Sequence, residues 1–173
     1  IGRGNVAFHY HKIMKEKGYE VRIIPSRKEF VLDDVESDVV IIAVKDDAIR
    51  EVLNRLPRVK TLLLHTSGFT PSEILSQKAD NYGCLYPLQS LNKKKNIDFL
   101  KVPLCFYVNN EDYLECLKAF AESLSVLTCF LSDEQRQYLH ISAVFANNFT
   151  NHLFGISKEI LDKLMNRKLK EED

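Results

Sequence analysis

Gly2-Arg3-Gly4-Asn5-Val6-Ala7 is the stretch that decides the fold. It fits the pattern G-x-G-x-x-G/A. The first glycine makes a tight turn, the second lets a pyrophosphate approach the backbone, and the small Ala7 allows a helix to pack closely on a strand. Behind the turn, Val6, Tyr10, Ile13, Met14 and Lys17 recur at helical spacing, and Gly18 stops the helix. A short β run, Glu20 to Ile24, follows at the right distance. That context separates a dinucleotide-binding turn from an incidental glycine pair. The helix start would offer free N–H groups and a positive dipole end to an anion. A strand feeding the turn is expected upstream of Ile1.

Working outward, Val39 to Val44 is a continuous apolar run, suited to a parallel strand buried on both faces. Asp46-Asp47 precede a helix whose stripe is Ile49, Val52, Leu53 and Leu56. Thr61 to His65 is a strand, Pro71 to Gln77 a short helix, and Tyr82 to Tyr86 a strand stopped by Pro87. Leu104 to Val108 is a strand, and Asp112 to Leu124 a helix with Leu114, Leu117, Phe120, Ala121 and Leu124 inward. Val126 to Leu131 is the last strand. The alternation predicts an α/β protein with a Rossmann-like, mostly parallel sheet. One connection is too short. Eight residues, Val31 to Asp38, separate Phe30 from the next strand, and a helical parallel crossover takes at least about ten to twelve. An interruption with residues absent is expected near Phe30–Val31.

Ser132-Asp133-Glu134-Gln135 is a capping-box start. From it a helical pattern runs without proline to about Asn166, some 50 Å at 1.5 Å per residue. A single sheet does not need so long a helix. Residues 1–131 therefore form a Rossmann-like dinucleotide-binding domain. Residues 132–173 begin a C-terminal helical domain, the rest of which is expected beyond Asp173. Val144, Phe145, Phe149 and Leu153 are too many apolar residues for one contact with a small sheet. An exposed stripe of that size is an association surface, which predicts a homodimer through the C-terminal helical region.

Composition narrows the class. The chain has 173 residues, 45% hydrophobic and 28% charged, an ordinary globular balance. Twenty-four basic residues offset 24 acidic ones, which argues against electrostatic binding to nucleic acid or a membrane surface. Lys93-Lys94-Lys95 reads as a solvated loop. No apolar run nears the ~18 residues of a membrane span, and no secretory signal is visible. Cys84, Cys105, Cys116 and Cys129 form no C-x-x-C pair. Free thiols in a reducing cytosol, and so a cytoplasmic protein, are expected. No spacing suggests a metal site, and no nucleophile elbow occurs.

The chemistry-bearing residues cluster where strands end. Gly2, Gly4, Asn5 and Val6 would hold a pyrophosphate. After the second strand, where an acidic residue would bind the ribose 2′-OH of NAD, stand Ser26-Arg27-Lys28. A hydroxyl and two cations suit the 2′-phosphate of NADP. Ala43 and Val44 would lie under the nicotinamide ribose, and Asp46 either joins them or caps the next helix. His65, in His65-Thr66-Ser67-Gly68, is either a proton donor or a buried, hydrogen-bonded histidine. Ser67 shares that edge, and Tyr86 forms a cleft wall or a turn. His140, Val144, Asn147, Asn148 and Asn151 fall on one face at α-helical spacing. They contact a ligand or hydrogen-bond another helix. His9 and His11 are expected on a helix surface.

Taken in order, Gly2-x-Gly4-Asn5-Val6-Ala7-x-His9, Ser26-Arg27, Val44-x-Asp46, His65-Thr66-Ser67-Gly68, Tyr86-Pro87-Leu88-Gln89 and Ala143 through His152 resemble an uncharacterised bacterial family. That family joins an N-terminal Rossmann-like NADP-binding domain to a C-terminal helical domain of unknown function. It is similar to deazaflavin-dependent NADP oxidoreductases and pyrroline-5-carboxylate reductases. Glu134-Gln135-Arg136-x-Tyr138-Leu139-His140 resembles members from the Bacteroidetes. The resemblance implies NADP as cofactor and extends to cofactor more than to reaction. The leading reading is an NADP-dependent oxidoreductase that moves a hydride between the nicotinamide and a small imine or carbonyl/hydroxy substrate. His65, Ser67 and Tyr86, with His140, Asn147 and Asn151, would line the cleft, one histidine shuttling a proton. The alternative is a non-catalytic NADP-binding sensor or scaffold.

Overall fold

The computed structural model describes residues 1–27, 29–31 and 35–171, with the backbone alone for 165–171. The chain divides into two compact units, Ile1–Gln137 and Tyr138–Asp173.

The first unit is an α/β fold. Its elements are α1 (Asn5–Glu16), β1 (Val39–Ile42), α2 (Asp46–Arg55), β2 (Leu62–His65), β3 (Tyr82–Pro87), β4 (Leu104–Val108), α3 (Leu114–Leu124) and β5 (Thr128–Phe130). Among the described residues, 3₁₀ turns at Ser72–Gln77, Phe99–Lys101 and Glu111–Tyr113 lie in the connections. The sheet order is β1-β2-β3-β4-β5. All pairs are parallel except β3 with β4, which run antiparallel. The mostly parallel α/β sheet read from the sequence is therefore present.

Beyond β1 the backbone continues the sheet. The Ile1 nitrogen donates to Ile41 C=O, and Ala43 N–H donates to Ile1 C=O at 2.8 Å. On the other side Gly2 N–H donates to Ile24 C=O at 2.9 Å. The glycine turn thus lies between the end of β1 and the Val21–Ile24 segment. That segment makes this bond without being a regular strand, contrary to its β pattern. The interruption expected near Phe30–Val31 borders residues 32–34, which lie outside the described residues.

Period-2 strands give the sheet two apolar faces, each with its own helices. Leu62, Leu64, Leu85, Leu104 and Phe106 pack with Tyr10, Ile13 and Met14 of α1 and Leu117, Ala121 and Leu124 of α3. Val40, Ile42 and Leu63 pack with Ile49, Val52 and Leu53 of α2, and with Leu56 and Leu75. His9 departs from expectation. It is 3% exposed, Nε2 lies 3.1 Å from Asn92 C=O, and its ring stacks near Phe99. The 92–99 loop covers a flank of α1 that the helix's own periodicity leaves polar.

After β5 come α4 (Asp133–Ala143), a π-helical segment (Val144–Phe149) and α5 (Thr150–Glu171). The capping box forms in both directions. Ser132 N–H donates to Gln135 Oε1 at 2.9 Å, and Gln135 N–H donates to Ser132 Oγ at 3.2 Å. The single α-helix expected to about Asn166 is broken by the π segment, and helix continues to Glu171.

Candidate cofactor and substrate site

Gly2 has φ +126°, and a Cβ there would sit 2.2 Å from the Ala43 carbonyl oxygen. The turn passes so close to the end of β1 that a side chain is excluded. Gly4 is different. Its φ is −75°, an ordinary value, and a Cβ would meet nothing within 4 Å. Nothing inside the chain demands glycine there. The open side is the start of α1, which has no side-chain cap and no acid in its first turn. Its orphan N–H groups suit an anion. Val6 packs on the core, leaving its backbone for that role. Asn5 Oδ1 accepts Lys93 N–H at 3.2 Å, which brings the exposed Lys93-Lys94-Lys95 loop beside the turn. The cradle fits a dinucleotide pyrophosphate.

Ser26 and Arg27 form a turn after Ile24, with Arg27 exposed. Lys28 lies outside the described residues. Arg55, at the end of α2, donates from Nη2 to Ser26 C=O at 2.8 Å, and its guanidinium lies 5.9 Å from the Phe30 ring centre. The sequence offers only a basic residue in a last helical turn, so this support of the Ser26 turn was not foreseen. Ala43 is buried and Val44 packs on the core just past β1. Asp46 is the first residue of α2. Lys45 holds the cap position, without a side-chain cap bond.

His65, Ser67 and Tyr86 gather at the carboxyl edge of β2 and β3, the edge that also carries Ala43 and Gly2. His65 is 0% exposed, and its Nδ1 accepts Ser67 N–H at 3.1 Å. The ring proton therefore sits on Nε2. Burial, and then the Arg136 guanidinium, pull its pKa down to about 3, so the imidazole is neutral at physiological pH. Ser67 Oγ accepts Phe69 N–H at 3.1 Å and Thr70 N–H at 2.9 Å, closing the turn. Tyr86 is half-buried, and burial pushes its hydroxyl up to about 12. Burial also pushes the Cys84 thiol far up, and that thiol points to Ser67 C=O at 3.5 Å.

Asp133 and Arg136 also escaped the sequence reading. The Asp133 carboxylate accepts Ser72 N–H and, at 2.7 Å, Ser72 Oγ–H. Arg136, 1% exposed, donates to Asp133 Oδ1 and to Thr70 C=O, both at 2.6 Å.

His140, Asn147 and Asn151 belong to the second unit. There Asn151 Nδ2 donates to Asn147 Oδ1 at 3.0 Å, and Asn147 Nδ2 to Asn148 Oδ1 at 3.1 Å. His140 precedes the π segment and Asn151 comes after it. A π turn takes more residues than an α turn, so α-helical spacing does not put His140 and Asn151 on one face. That part of the sequence expectation is corrected.

A Gly2 turn against a parallel strand, an open helix start and a polar rim at the strand ends have the geometry of a Rossmann-type dinucleotide-binding site. Solved structures share the fold. The chain is similar to BF3122 of Bacteroides fragilis, a candidate NADP oxidoreductase, at 30% identity over 94% of this chain and 70% of that one, with TM-score 0.81. It is also similar to protein TM1727 of Thermotoga maritima, at 22% identity over 94% and 68% of the two chains, with TM-score 0.66. Prephenate dehydrogenase from A. aeolicus, solved with hydroxyphenyl propionate and NAD+, shares the fold at 12% identity over 80% and 60%, with TM-score 0.63. Residues 102–171 match a domain of unknown function, DUF2520. No curated protein matches the chain in sequence. With the Bacteroides protein, the chain belongs to a family of Rossmann-like, NADP-binding proteins with a C-terminal domain of unknown function.

Proposed function

We propose that this chain carries the cofactor domain of an NADP-dependent oxidoreductase acting on a small imine or carbonyl/hydroxy compound. The observation that carries the reading is the pair Gly2 and Gly4. One is packed against Ala43, and the other is open over the start of α1. Gly2, Gly4, Asn5 and Val6 hold the pyrophosphate through backbone N–H groups. Ser26, Arg27 and Lys28 take the 2′-phosphate, with Arg55 bracing the turn from behind. Ala43, Val44 and Asp46 border the nicotinamide ribose. The chemistry such a cofactor supplies is hydride transfer to or from a C=N or C=O carbon. His65, Ser67 and Tyr86 form the rim on the substrate side, and Asn147, Asn148 and Asn151 form a polar cluster of their own on the helical domain. That domain begins at about residue 132 and mediates a homodimer in the cytoplasm.

One observation favours the alternative, a non-catalytic NADP-binding sensor or scaffold. Neither His65, at about 3, nor Tyr86, at about 12, exchanges a proton readily near neutral pH. A catalytic protein of this design would need its proton from another group or from solvent.

Calorimetry with NADPH and NADH tests the cofactor. NADPH binds more tightly, and Arg27→Ala erases most of the preference, since a charge-assisted phosphate pair contributes about 1.5–3 kcal/mol, or roughly ten- to hundredfold in affinity. Equal affinities in wild type refute the assignment of the Ser26 turn. NADPH oxidation by full-length protein with imines, 2-keto acids and aldehydes separates enzyme from sensor.

A further inference from the structure

Three of the four cysteines lie on one face of the sheet in the first unit. Cys105 on β4 stands in register with Cys129 on its parallel neighbour β5, and with Tyr86 on β3. Register partners carry their side chains on the same side of a sheet. Cys84 sits on that side too, diagonal to Cys105 and opposite Tyr107. All four thiols are free, with Cys105 buried and Cys129 exposed. The cofactor reading uses neither of these two.

The spacing permits a bond between Cys105 and Cys129. Neighbouring strands lie about 4.7–4.9 Å apart, and disulfides span Cα separations of about 4.4–6.8 Å. The Cβ atoms must also close to about 3.5–4.5 Å, so β5 has to lean toward β4. As the three-residue strand at the end of the sheet, paired among the described residues with β4 alone, β5 has room to lean. The other two cysteines are placed differently. Cys84 is buried, and its thiol points to Ser67 C=O. Cys116 is exposed on α3, which packs on the opposite face of the sheet with Leu104 and Phe106.

We propose that Cys129 and Cys105 form a thiol–disulfide exchange site for low-molecular-weight disulfides, with Cys129 attacking and Cys105 resolving. The Cys129 thiolate bonds one sulfur of the small disulfide and expels the other half as a thiolate. Cys105 then bonds the Cys129 sulfur and expels the second half. Both cysteines are oxidised, the small disulfide is reduced to two thiols, and the two cysteine protons reach those thiols through solvent. Burial, and then the Cys129 thiolate, push the Cys105 thiol up to about 11, against the pull of the Arg136 guanidinium. The order of attack follows from this. The exposed thiol opens the reaction, and its charge is gone before Cys105 has to ionise. Strand spacing strains the internal bond, and an exposed, strained disulfide is readily reduced again. Because Cys105 stands beside Tyr86, the bond links a surface thiol to the rim of the proposed site.

The test treats reduced, full-length protein with glutathione disulfide, quenches with acid and maps the thiols by mass spectrometry. At early times glutathione should appear on Cys129. Later, wild type should give a Cys105–Cys129 crosslinked peptide, two hydrogens lighter than the reduced pair, while Cys116 keeps its glutathione. Dithiothreitol should return both thiols. Cys105→Ala should trap glutathione on Cys129, and Cys129→Ser should leave the buried Cys105 unmodified. A lasting glutathione adduct on Cys129 in wild type overturns the proposal, because Cys105 then does not resolve it. So does a Cys129 that stays unmodified while Cys116 reacts, or a crosslink from Cys105 to Cys84 instead. If Cys105→Ala does not fold, the wild-type time course and Cys129→Ser decide.

Discussion

Gly2 and Gly4 stand two positions apart, yet different forces require them. At Gly2 a side chain meets both a left-handed φ and the Ala43 carbonyl oxygen. Gly2→Ala should cost about 3 kcal/mol or more, seen as a large fall in Tm. Gly4→Ala has an ordinary φ and open space. It should cost only about 1 kcal/mol, through the weaker helix cap. Its Cβ would stand where a pyrophosphate approaches, so NADPH should bind at least about tenfold more weakly. A Gly4→Ala protein that binds NADPH as wild type does would remove the phosphate role. His65 makes a separate prediction about pH. In the unfolded chain it protonates near 6.5, and in the folded chain only near 3. Between those values the unfolded state binds the extra proton. The contribution is therefore complete above pH 6.5 and is lost as pH falls toward 3, with a slope of up to about 1.4 kcal/mol per pH unit. Asn at position 65 keeps an acceptor for Ser67 N–H and cannot titrate. Urea unfolding from pH 7.5 to 4 should show the steeper loss in wild type, and parallel curves for wild type and His65→Asn would contradict the buried neutral ring.

Among the elements, the start of α4 is the clearest case of local sequence writing local structure. Ser132 and Gln135 exchange hydrogen bonds through side chains three residues apart. Ser132→Ala should cost about 1 kcal/mol in chemical denaturation, and no change would mean that tertiary clamping by Arg136 alone fixes that turn. The same locality made most of the fold readable. Stripes such as Ile49, Val52 and Leu53, or Leu117, Ala121 and Leu124, face the core where their spacing puts them. The unreadable parts depend on partners far along the chain. Asp133 finds Ser72, 61 positions away, and Arg136 finds Thr70, 66 away. His9 is covered by Asn92 and Phe99. The antiparallel turn of β4 against β3 results from the path of the 88–103 connection, which carries no helical period. The π segment hides for another reason. Widening one turn changes no composition and no polarity, only the register of the helix downstream of it. For the site, the glycine turn was legible because glycine answers a backbone demand. The clamp behind His65 was not, because an Arg in a polar first turn looks solvated until its partners are known.

At the scale of the whole molecule, the second unit poses the sharpest question. Phe145 and Phe149 stack at 4.9 Å across the π segment and stay 62% and 50% exposed. Leu153, Phe154, Ile160 and Leu161 are exposed as well. An apolar display of that size on one helical element marks an association surface. A second copy of the chain is the occupant we expect, because a helix with an apolar face can pack on its own symmetry mate and bury both faces at once. The full-length protein should sediment as a dimer at micromolar concentration. Phe149→Asp with Leu153→Asp should convert it to a monomer, because a buried unpaired carboxylate costs several kcal/mol in each protomer. The proposed cofactor cradle lies in the other unit, at Gly2, Gly4 and the start of α1. The monomeric variant should therefore keep its affinity for 2′,5′-ADP within about twofold, a difference of about 0.4 kcal/mol. A monomeric wild type would end the dimer prediction. A variant that stays dimeric would move the interface off Phe149 and Leu153. A variant that loses both dimer and cofactor would mean that cofactor affinity depends on the dimer.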